Sequence, residues 1–315
     1  MAVKTALTDD EFVRFLSLYD LGAYTQSEAI QQGTVQTNYV IQTTQGKFVF
    51  RYYENRSREA VLFESDLLVY LTEHHYPSPT QVNNTQGAYV GMYLHKPYVI
   101  FEFVEGQPIE HPSAHHWQQL VQKAAELQRL TRDFRSRYTS HRWNYDADLC
   151  RTLAHAEATR ISTKSARDKF AWLEHELTML DLPSSLPKGI CHCDFHFSNV
   201  LFQGDELAAL LDFDDANYTF LQFDLVGLIE YWVWPHTADL LDVAKARSVV
   251  QEYMKHRPFP LVEQQHLYDV YKLSILFDCV WYFSRGSADN FKEKRKIEAL
   301  NGLGRQRFFD ELFRK

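Results

Sequence analysis

The chain has 315 residues, of which 45% are hydrophobic and 23% charged, with only 12 glycines and 10 prolines. This balance is typical of a folded globular protein of about two domains, and it excludes a disordered chain or a mini-protein scaffold. Lysine and arginine number 33 against 41 aspartates and glutamates, and the resulting net charge of −8 argues against general binding to nucleic acid or acidic membranes.

The first hundred residues alternate between helical and β-rich patterns. Thr8 and Glu11 fit a capping box in front of an amphipathic run, and Ser57 can cap a second helix. The turn Gln45-Gly46 separates two β-rich runs. The predicted elements are a helix over 8–20, a hairpin of strands 37–43 and 47–53, a helix from 57 to about 74, and a strand pair across 88–104.

Turn residues at Glu105-Gly106-Gln107-Pro108 predict a domain boundary near residue 105. Helical spacing dominates beyond it, except for a short β island at 190–213. The predicted helices lie at 113–134, near 163–180 and after Gln222, and no strand is predicted after residue 215. The pattern therefore predicts an α+β protein with a β-rich lobe, residues 1–105, and a larger, mostly helical lobe, residues 106–315.

The β island carries the chemistry-bearing residues. Its two apolar runs flank a turn at Gly204, so antiparallel pairing brings Asn199 beside Asp212. An amide oxygen and a carboxylate are ligands that Mg²⁺ prefers. Asp194 lies on the loop leading into this hairpin, where it could accept a proton from an attacking hydroxyl, and His192 is expected to orient that loop. This set suits phosphoryl transfer, in which positioning and charge neutralisation supply most of the catalysis.

The signature residues resemble a known family. The string His192-x-Asp194-x-His196-x-x-Asn199, followed by Leu-Leu-Asp212-Phe-Asp214, is similar to the paired signatures of the aminoglycoside phosphotransferase superfamily. The resemblance implies a protein-kinase-like fold of two lobes, ATP and Mg²⁺ as cofactors, and a small-molecule hydroxyl as acceptor. Within the superfamily the chain most resembles bacterial homoserine kinases of the phosphotransferase type, which makes homoserine the expected acceptor. The segments that carry this finer resemblance are Thr37-Asn38-Tyr39, Tyr53-Glu54-Asn55-Arg56, Phe101–Gly106 and Gly204–Leu207.

Carried over to this sequence, the resemblance implies Asp194 as catalytic base and Asn199 and Asp212 as magnesium ligands. It also implies a hinge whose backbone contacts adenine, formed by Glu102, Phe103 and Val104.

Two features depart from the protein-kinase pattern. Arg51 stands where protein kinases hold lysine, and a guanidinium can clasp phosphates bidentately. The phosphate-cradling loop is reduced to Gly33, Thr34, Gln36 and Thr37. Glu64 is expected to pair with Arg51, although Glu59 competes for that role and an exposed helix charge is the plain alternative.

Other interpretations of the same residues stay open. Cys191, His192, Cys193 and His196 could suggest zinc, but Cys-x-Cys is tighter than the usual ligand gap and no second ligand pair follows. Asp212-x-Asp214 also occurs in dehalogenase-type phosphatases, a fold that needs alternating strands and helices afterwards.

Three features nearby are expected to be structural. Asp224 should cap backbone N–H groups and at most brace the metal loop. Tyr231, Trp232 and Trp234 are expected to pack in the core, and the basic cluster Lys292, Lys294, Arg295 and Lys296 to form a solvated helix face.

The sequence as a whole predicts an ATP- and Mg²⁺-dependent phosphotransferase that acts on a small alcohol, most simply homoserine. Its rivals are a kinase of choline, an aminoglycoside or methylthioribose, a Ser/Thr protein kinase of the same superfamily, and a nucleotide-binding pseudokinase. Four irregularly spaced cysteines and the lack of a charged-then-apolar leader before Thr8 indicate a cytoplasmic protein with free thiols. No window reaches the ~18 apolar residues that a membrane span requires.

Overall fold

The computed structural model describes residues 4–31, 33, 35–234, 240–284 and 293–314. Up to residue 111 it contains two helices and six strands. In chain order these are α1 (Asp9–Leu16), β1 (Tyr24–Ala29), β2 (Thr37–Thr43), β3 (Gly46–Tyr52), α2 (Arg58–Glu73), β4 (Gln81–Val82), β5 (Val90–Tyr93) and β6 (Lys96–Glu102).

The remaining described residues are mainly helical. In chain order their elements are α3 (Ala114–Leu130), α4 (Ala147–Ile161), α5 (Lys164–Thr178), β7 (Lys188–Cys191), β8 (Val200–Gln203), β9 (Glu206–Leu210), β10 (Asn217–Phe220), α6 (Gln222–Val233), α7 (Val243–His256), α8 (Leu261–Ser284), α9 (Lys294–Leu303) and α10 (Arg305–Phe313). Within the ranges given above, no helix combines the length and apolarity that a bilayer crossing requires.

The described residues divide into two compact units. The first unit lies within residues 1–111, 133–142 and 197–214, and the second within 112–132, 143–196 and 215–315. The boundary near residue 105 remains a prediction. The hairpin β8–β9 groups with the first unit, although it comes long after that boundary in the chain.

The first unit is built on a six-stranded antiparallel sheet. Its order is β1-β2-β3-β6-β4, and β5 pairs with the same edge of β6 as β4 does. The predicted hairpin is confirmed, with β2 and β3 joined by a tight turn in which Thr43 pairs with Gly46. Strands β1 and β4 were not predicted, because β1 has only exposed and half-buried positions and β4 has two residues.

Helix α1 fills one face of this sheet. The predicted capping box is present, with the Glu11 N–H donating to Thr8 Oγ1 and the Thr8 N–H to Glu11 Oε2, but the helix ends at Leu16, before the predicted residue 20. Phe15 stacks on Phe50 of β3 with ring centroids 4.9 Å apart. This aromatic core fixes β3, the strand that carries Arg51.

The second unit combines helices α3 to α10 with a two-stranded sheet. Strand β10 pairs antiparallel with β7, and Thr219 lies opposite Gly189. The prediction of no strand after residue 215 is therefore wrong. Strand β10 has only four residues and pairs with residues almost thirty positions earlier. Such a strand is too short to show the alternation of apolar and polar residues from which strands are predicted. Helix α4 was not predicted either, since it buries only Cys150, Ala154 and Ala158 along one side.

Candidate functional site

The hairpin β8–β9 brings the two expected metal ligands together within the first unit. Val200 pairs with Leu210, and the N–H of Leu211 donates to the carbonyl of Asn199 at 2.6 Å. Asp212 is the next residue, so the predicted fold-back of the chain is present. The turn at Gly204 has φ +62°, a left-handed conformation that glycine adopts at little cost.

Asp212 occupies a strained backbone position. Its φ is +65°, in the left-handed region that costs a non-glycine residue about 1 kcal/mol. Its carboxylate is 38% exposed and accepts a hydrogen bond from Arg51 Nη1 at 2.9 Å. The Nε of Arg51 donates to Asn38 Oδ1 at 3.0 Å, so two neighbours orient this guanidinium.

Glu64 of α2 provides the second carboxylate near Arg51. Its Oε1 lies 3.9 Å from Arg51 Nη1 and the side chain is 1% exposed, so the predicted ion pair is present and the alternative of an exposed helix charge is wrong. Glu64 Oε2 has no hydrogen-bond partner among the described residues. Burial raises the pKa of Glu64 to about 7, while Arg51 acts in the opposite direction.

Asp214, two residues after Asp212, is a buried carboxylate that the sequence interpretation left without a role. Its Oδ2 accepts a hydrogen bond from Gln36 Nε2 at 2.7 Å and lies 3.5 Å from Arg56 Nη2. Burial alone would raise its pKa, but Arg56, Arg51, the hydrogen bond from Gln36 and Arg142 together hold that pKa below its ordinary value.

Gln36 belongs to the predicted phosphate loop, whose placement the structure gives in part. Gly33 has a left-handed φ of +93°, and Thr34 lies outside the described residues. Thr37 Oγ1 donates to Glu54 Oε1 at 2.7 Å. Gln36 and Thr37 are thus fixed by polar contacts, and their contact with phosphate stays a prediction.

The predicted hinge follows the last strand of the sheet. Glu102 ends β6 and is exposed, while Phe103 and Val104 are half-buried. The Lys47 ammonium lies 5.5 Å from the centroid of the Phe103 ring. Phe103 directly follows the pairing of β6 with β3, in which Phe48 lies opposite Glu102.

In the second unit, Asp224 of α6 holds the loop that carries Asp194. Its two carboxylate oxygens accept the N–H of Cys193 at 3.0 Å and the N–H of His192 at 3.1 Å. Cys193 has φ +65°, so these bonds stabilise a left-handed turn directly before Asp194. Asp224 therefore braces this loop, as expected, but it does so with N–H groups outside its own helix. Burial raises its pKa, and the N–H donors act against that rise.

His192, which is expected to orient the loop, is fully buried. The N–H of Asp194 donates to His192 Nδ1 at 3.2 Å, so the ring contacts the backbone of this loop. Cys191 is also buried, and its thiol donates to the Phe220 carbonyl at 3.3 Å. Burial raises the pKa of Cys191 well above its ordinary value, so the thiol stays protonated, a poor state for a zinc ligand.

Two expectations about the second unit are wrong. Tyr231 is 45% exposed and meets the edge of the His196 ring at a centroid distance of 3.9 Å, so it is not a core residue, although Trp234 is. Lys296 is 1% exposed and pairs with Glu230 and, at 3.2 Å, with Glu293, so it does not lie on a solvated face.

The other members of that basic cluster differ from Lys296. Lys294 is 43% exposed beside Glu298, and Arg295 is half-buried. Lys292 lies outside the described residues. The cluster therefore contributes one buried cation, paired with two glutamates, in addition to a solvated charge.

Comparison with known proteins identifies the family. Residues 27–259 match the model of the phosphotransferase enzyme family, which covers well over half of the chain. The chain belongs to this family. The matched range includes the sheet, the hairpin with Asn199 and Asp212, and the Asp194 loop.

Two curated relatives of similar length are homoserine kinases. The chain is 28% identical over 308 residues to a homoserine kinase of Parvibaculum lavamentivorans, a match that covers 96% of this chain and 89% of the relative. It is 30% identical over 304 residues to a homoserine kinase of Rhodospirillum rubrum, with the same coverage of both chains.

Two solved structures share the fold of this chain. Amicoumacin kinase in complex with AMP-PNP, Ca²⁺ and Ami superposes with a TM-score of 0.68 at 14% identity, covering 95% of this chain and 98% of that one. Spectinomycin phosphotransferase with ADP and spectinomycin gives a TM-score of 0.60 at 12% identity, covering 98% and 95%. The predicted kinase-like α+β fold is confirmed, and the alternating fold that a dehalogenase-type phosphatase requires is not the fold of this chain.

Proposed function

We propose that this phosphotransferase moves the γ-phosphoryl group of ATP, with Mg²⁺, to the hydroxyl group of homoserine. The observation that carries the reaction class is the β8–β9 hairpin, which pairs Asn199 with the residue before Asp212 and leaves the Asp212 carboxylate against Arg51. Homoserine is supported by the near full-length similarity to homoserine kinases at 28–30% identity.

The first unit supplies the groups suited to a metal-bound nucleotide. Asn199 and Asp212 offer an amide oxygen and a partly exposed carboxylate, a donor set that fits a magnesium ion. Mg²⁺ bound there would neutralise charge on the phosphates. Arg51 lies beside Asp212 and can donate two parallel hydrogen bonds to phosphate oxygens. The backbone of Glu102, Phe103 and Val104, directly at the end of β6, is assigned to the adenine base.

Asp194 is assigned as the base that accepts the proton of the acceptor hydroxyl. A carboxylate can do this only if its position is fixed relative to the hydroxyl, because proton transfer requires a heavy-atom distance of about 3 Å. The two hydrogen bonds from the loop to Asp224, together with the bond from the Asp194 N–H to His192, fix the backbone on which this carboxylate stands.

The proposal is tested with purified protein in an assay that couples ATP consumption to a colour change. The acceptors are homoserine, serine, threonine, choline, an aminoglycoside and methylthioribose, and phosphorus NMR identifies the product. We expect homoserine to be phosphorylated. D194N should lower kcat by about 10²-fold or more while the affinity for ATP stays unchanged. D205N, in the exposed hairpin turn, is the matched control and should retain activity.

Each rival gives a different result in the same assay. Activity on another acceptor and none on homoserine would leave the reaction class intact and refute the substrate. Phosphate transfer to a Ser/Thr protein added as a further acceptor, and to none of the small molecules, would support the protein-kinase alternative. ATP binding without turnover on any acceptor would identify a pseudokinase, and turnover that survives D194N would refute the role of Asp194.

A further inference from the structure

Gln36 is held at both ends of its side-chain amide. Its Oε1 accepts the N–H of Glu54 at 2.9 Å, and its Nε2 donates to Asp214 Oδ2 at 2.7 Å and to Asn55 Oδ1 at 3.2 Å. Gln36 is 5% exposed and Asp214 is 6% exposed. Because a buried carboxylate is costly unless hydrogen bonds compensate it, the Gln36–Asp214 bond contributes more than a surface contact would.

The Gln36–Asp214 bond joins two segments to which the proposed function assigns ligand contacts. Gln36 directly precedes β2, at the end of the loop that contains Gly33. Asp214 follows two residues after Asp212, whose backbone is in the left-handed region. The bond therefore joins two segments that lie 178 residues apart in the sequence. One of them is assigned to the phosphates and the other to the metal.

Two arginines hold Asp214 from other directions. Arg56 Nη2 lies 3.5 Å from its carboxylate, and Arg142 Nη2 donates to its main-chain carbonyl. Arg142 also donates to the carbonyl of Ala60 in α2, at 3.4 Å. The segment after Asp212 is thus attached to α2 and to the loop before it, and Gln36 connects it to the start of β2.

We infer that Asp214 is a positioning residue for nucleotide binding, which acts through Gln36 to hold the start of β2 in a fixed position relative to Asp212. This inference rests on the proposed function, because it assigns the two segments to one metal-bound triphosphate. Neither Asp214 nor Gln36 needs to touch the nucleotide. Their bond fixes in advance the two segments that bind the phosphates and the metal, so that less order has to be gained on binding.

The test uses a swap of donor and acceptor. Q36E places two carboxylates against each other, and we expect it to weaken binding of ATP with Mg²⁺ by roughly tenfold to a hundredfold. D214N keeps an acceptor for Gln36 and should weaken binding less. In Q36E/D214N the amide donates and the carboxylate accepts, while the Glu54 N–H keeps its partner, so affinity should return to within about threefold of D214N.

Calorimetry on the full chain compares ATP with Mg²⁺ against adenosine, which has no phosphate. Adenosine affinity should be the same in all variants, because neither segment is assigned to the base or sugar. A loss of affinity shared equally by adenosine and ATP, or no rescue in the double variant, would overturn the inference and leave a structural role alone. Q42E, on the same strand at its other end, is the control for a new charge.

Two further outcomes separate this inference from the proposed function. If the wild-type protein binds neither ATP nor adenosine, the proposed function fails. If it binds ATP with Mg²⁺ and Q36E binds it equally well, only the positioning role fails. Should Q36E not fold, as judged by circular dichroism, Q36M removes the donor without adding charge, and it must show the same selective loss of ATP affinity or the inference is refuted.

Discussion

Replacement of Glu64 by glutamine should change how the stability of the protein depends on pH. Glu64 is 1% exposed, and burial raises its pKa to about 7 from an ordinary value of 4.5. Arg51 and Arg142 favour the charged form, whereas Asp214 disfavours it, and burial outweighs the arginines. E64Q keeps the shape of the side chain and removes the titration.

The sign follows from proton binding in the two states. Between pH 4.5 and pH 7 the folded protein holds a proton on Glu64 that the unfolded chain releases. Protonated Glu64 therefore stabilises the fold fully below its unfolded pKa of 4.5, and this contribution is lost as pH rises through its folded pKa of about 7. Between pH 5 and pH 8 the loss amounts to about 2–3 kcal/mol. Between pH 5 and pH 8 the free energy of unfolding of E64Q should therefore rise by that amount relative to wild type. This change does not depend on how far the two proteins differ in stability at pH 5.

Urea unfolding followed by circular dichroism at pH 5, 6, 7 and 8 measures this difference. Other titrating groups change both proteins alike, so the difference between wild type and E64Q isolates Glu64. E73Q, which removes the same charge from an exposed position at the end of α2, is the charge-matched control. Parallel stability curves for wild type and E64Q across the whole range would refute the reasoning.

Three further predictions concern groups outside the nucleotide segments. K296M should lower the free energy of unfolding by about 3–5 kcal/mol in urea titrations, because it leaves Glu230 and Glu293 buried without their cation; equal stability would contradict this. D224N can accept only one of the two loop N–H groups, so steady-state kinetics should show kcat reduced by about tenfold or more with the KM for ATP unchanged, and an unaltered kcat would oppose its bracing role. T8A should cost about 1 kcal/mol in thermal or urea unfolding, and a cost near zero would mean that the capping box does not stabilise α1.

The parts of the fold that the sequence predicted are those with local signals. The capping box at Thr8, the tight turn before β3 and the turn at Gly204 each depend on a few adjacent residues, and each is present. Because hairpin pairing follows from its turn, the adjacency of Asn199 and Asp212 could be deduced before any coordinates. Their roles, and that of Asp194, stay predictions.

The parts that the sequence did not predict depend on contacts between distant segments. Lys296 occurs in a basic run that has the composition of a solvated face, and only the packing of α9 against Glu230 buries it. The sequence does not predict that Gln36 contacts Asp214, because a glutamine before a strand and an aspartate in a turn are common features. Their bond becomes visible only when segments 178 residues apart meet.

The order of the chain in the first unit also sets when this unit can be completed during synthesis. Arg51 leaves the ribosome 161 residues before Asp212, which is one of its partners. The six-stranded sheet is likewise made before the hairpin β8–β9, which belongs to the same unit. The early β-rich segment, in which Arg51 already has Glu64 and Asn38 as partners, must therefore persist without Asp212 until two-thirds of the polypeptide has been made. Exposed strand edges invite chaperone binding during this interval. A fragment truncated after the sheet would remain permanently in that incomplete condition.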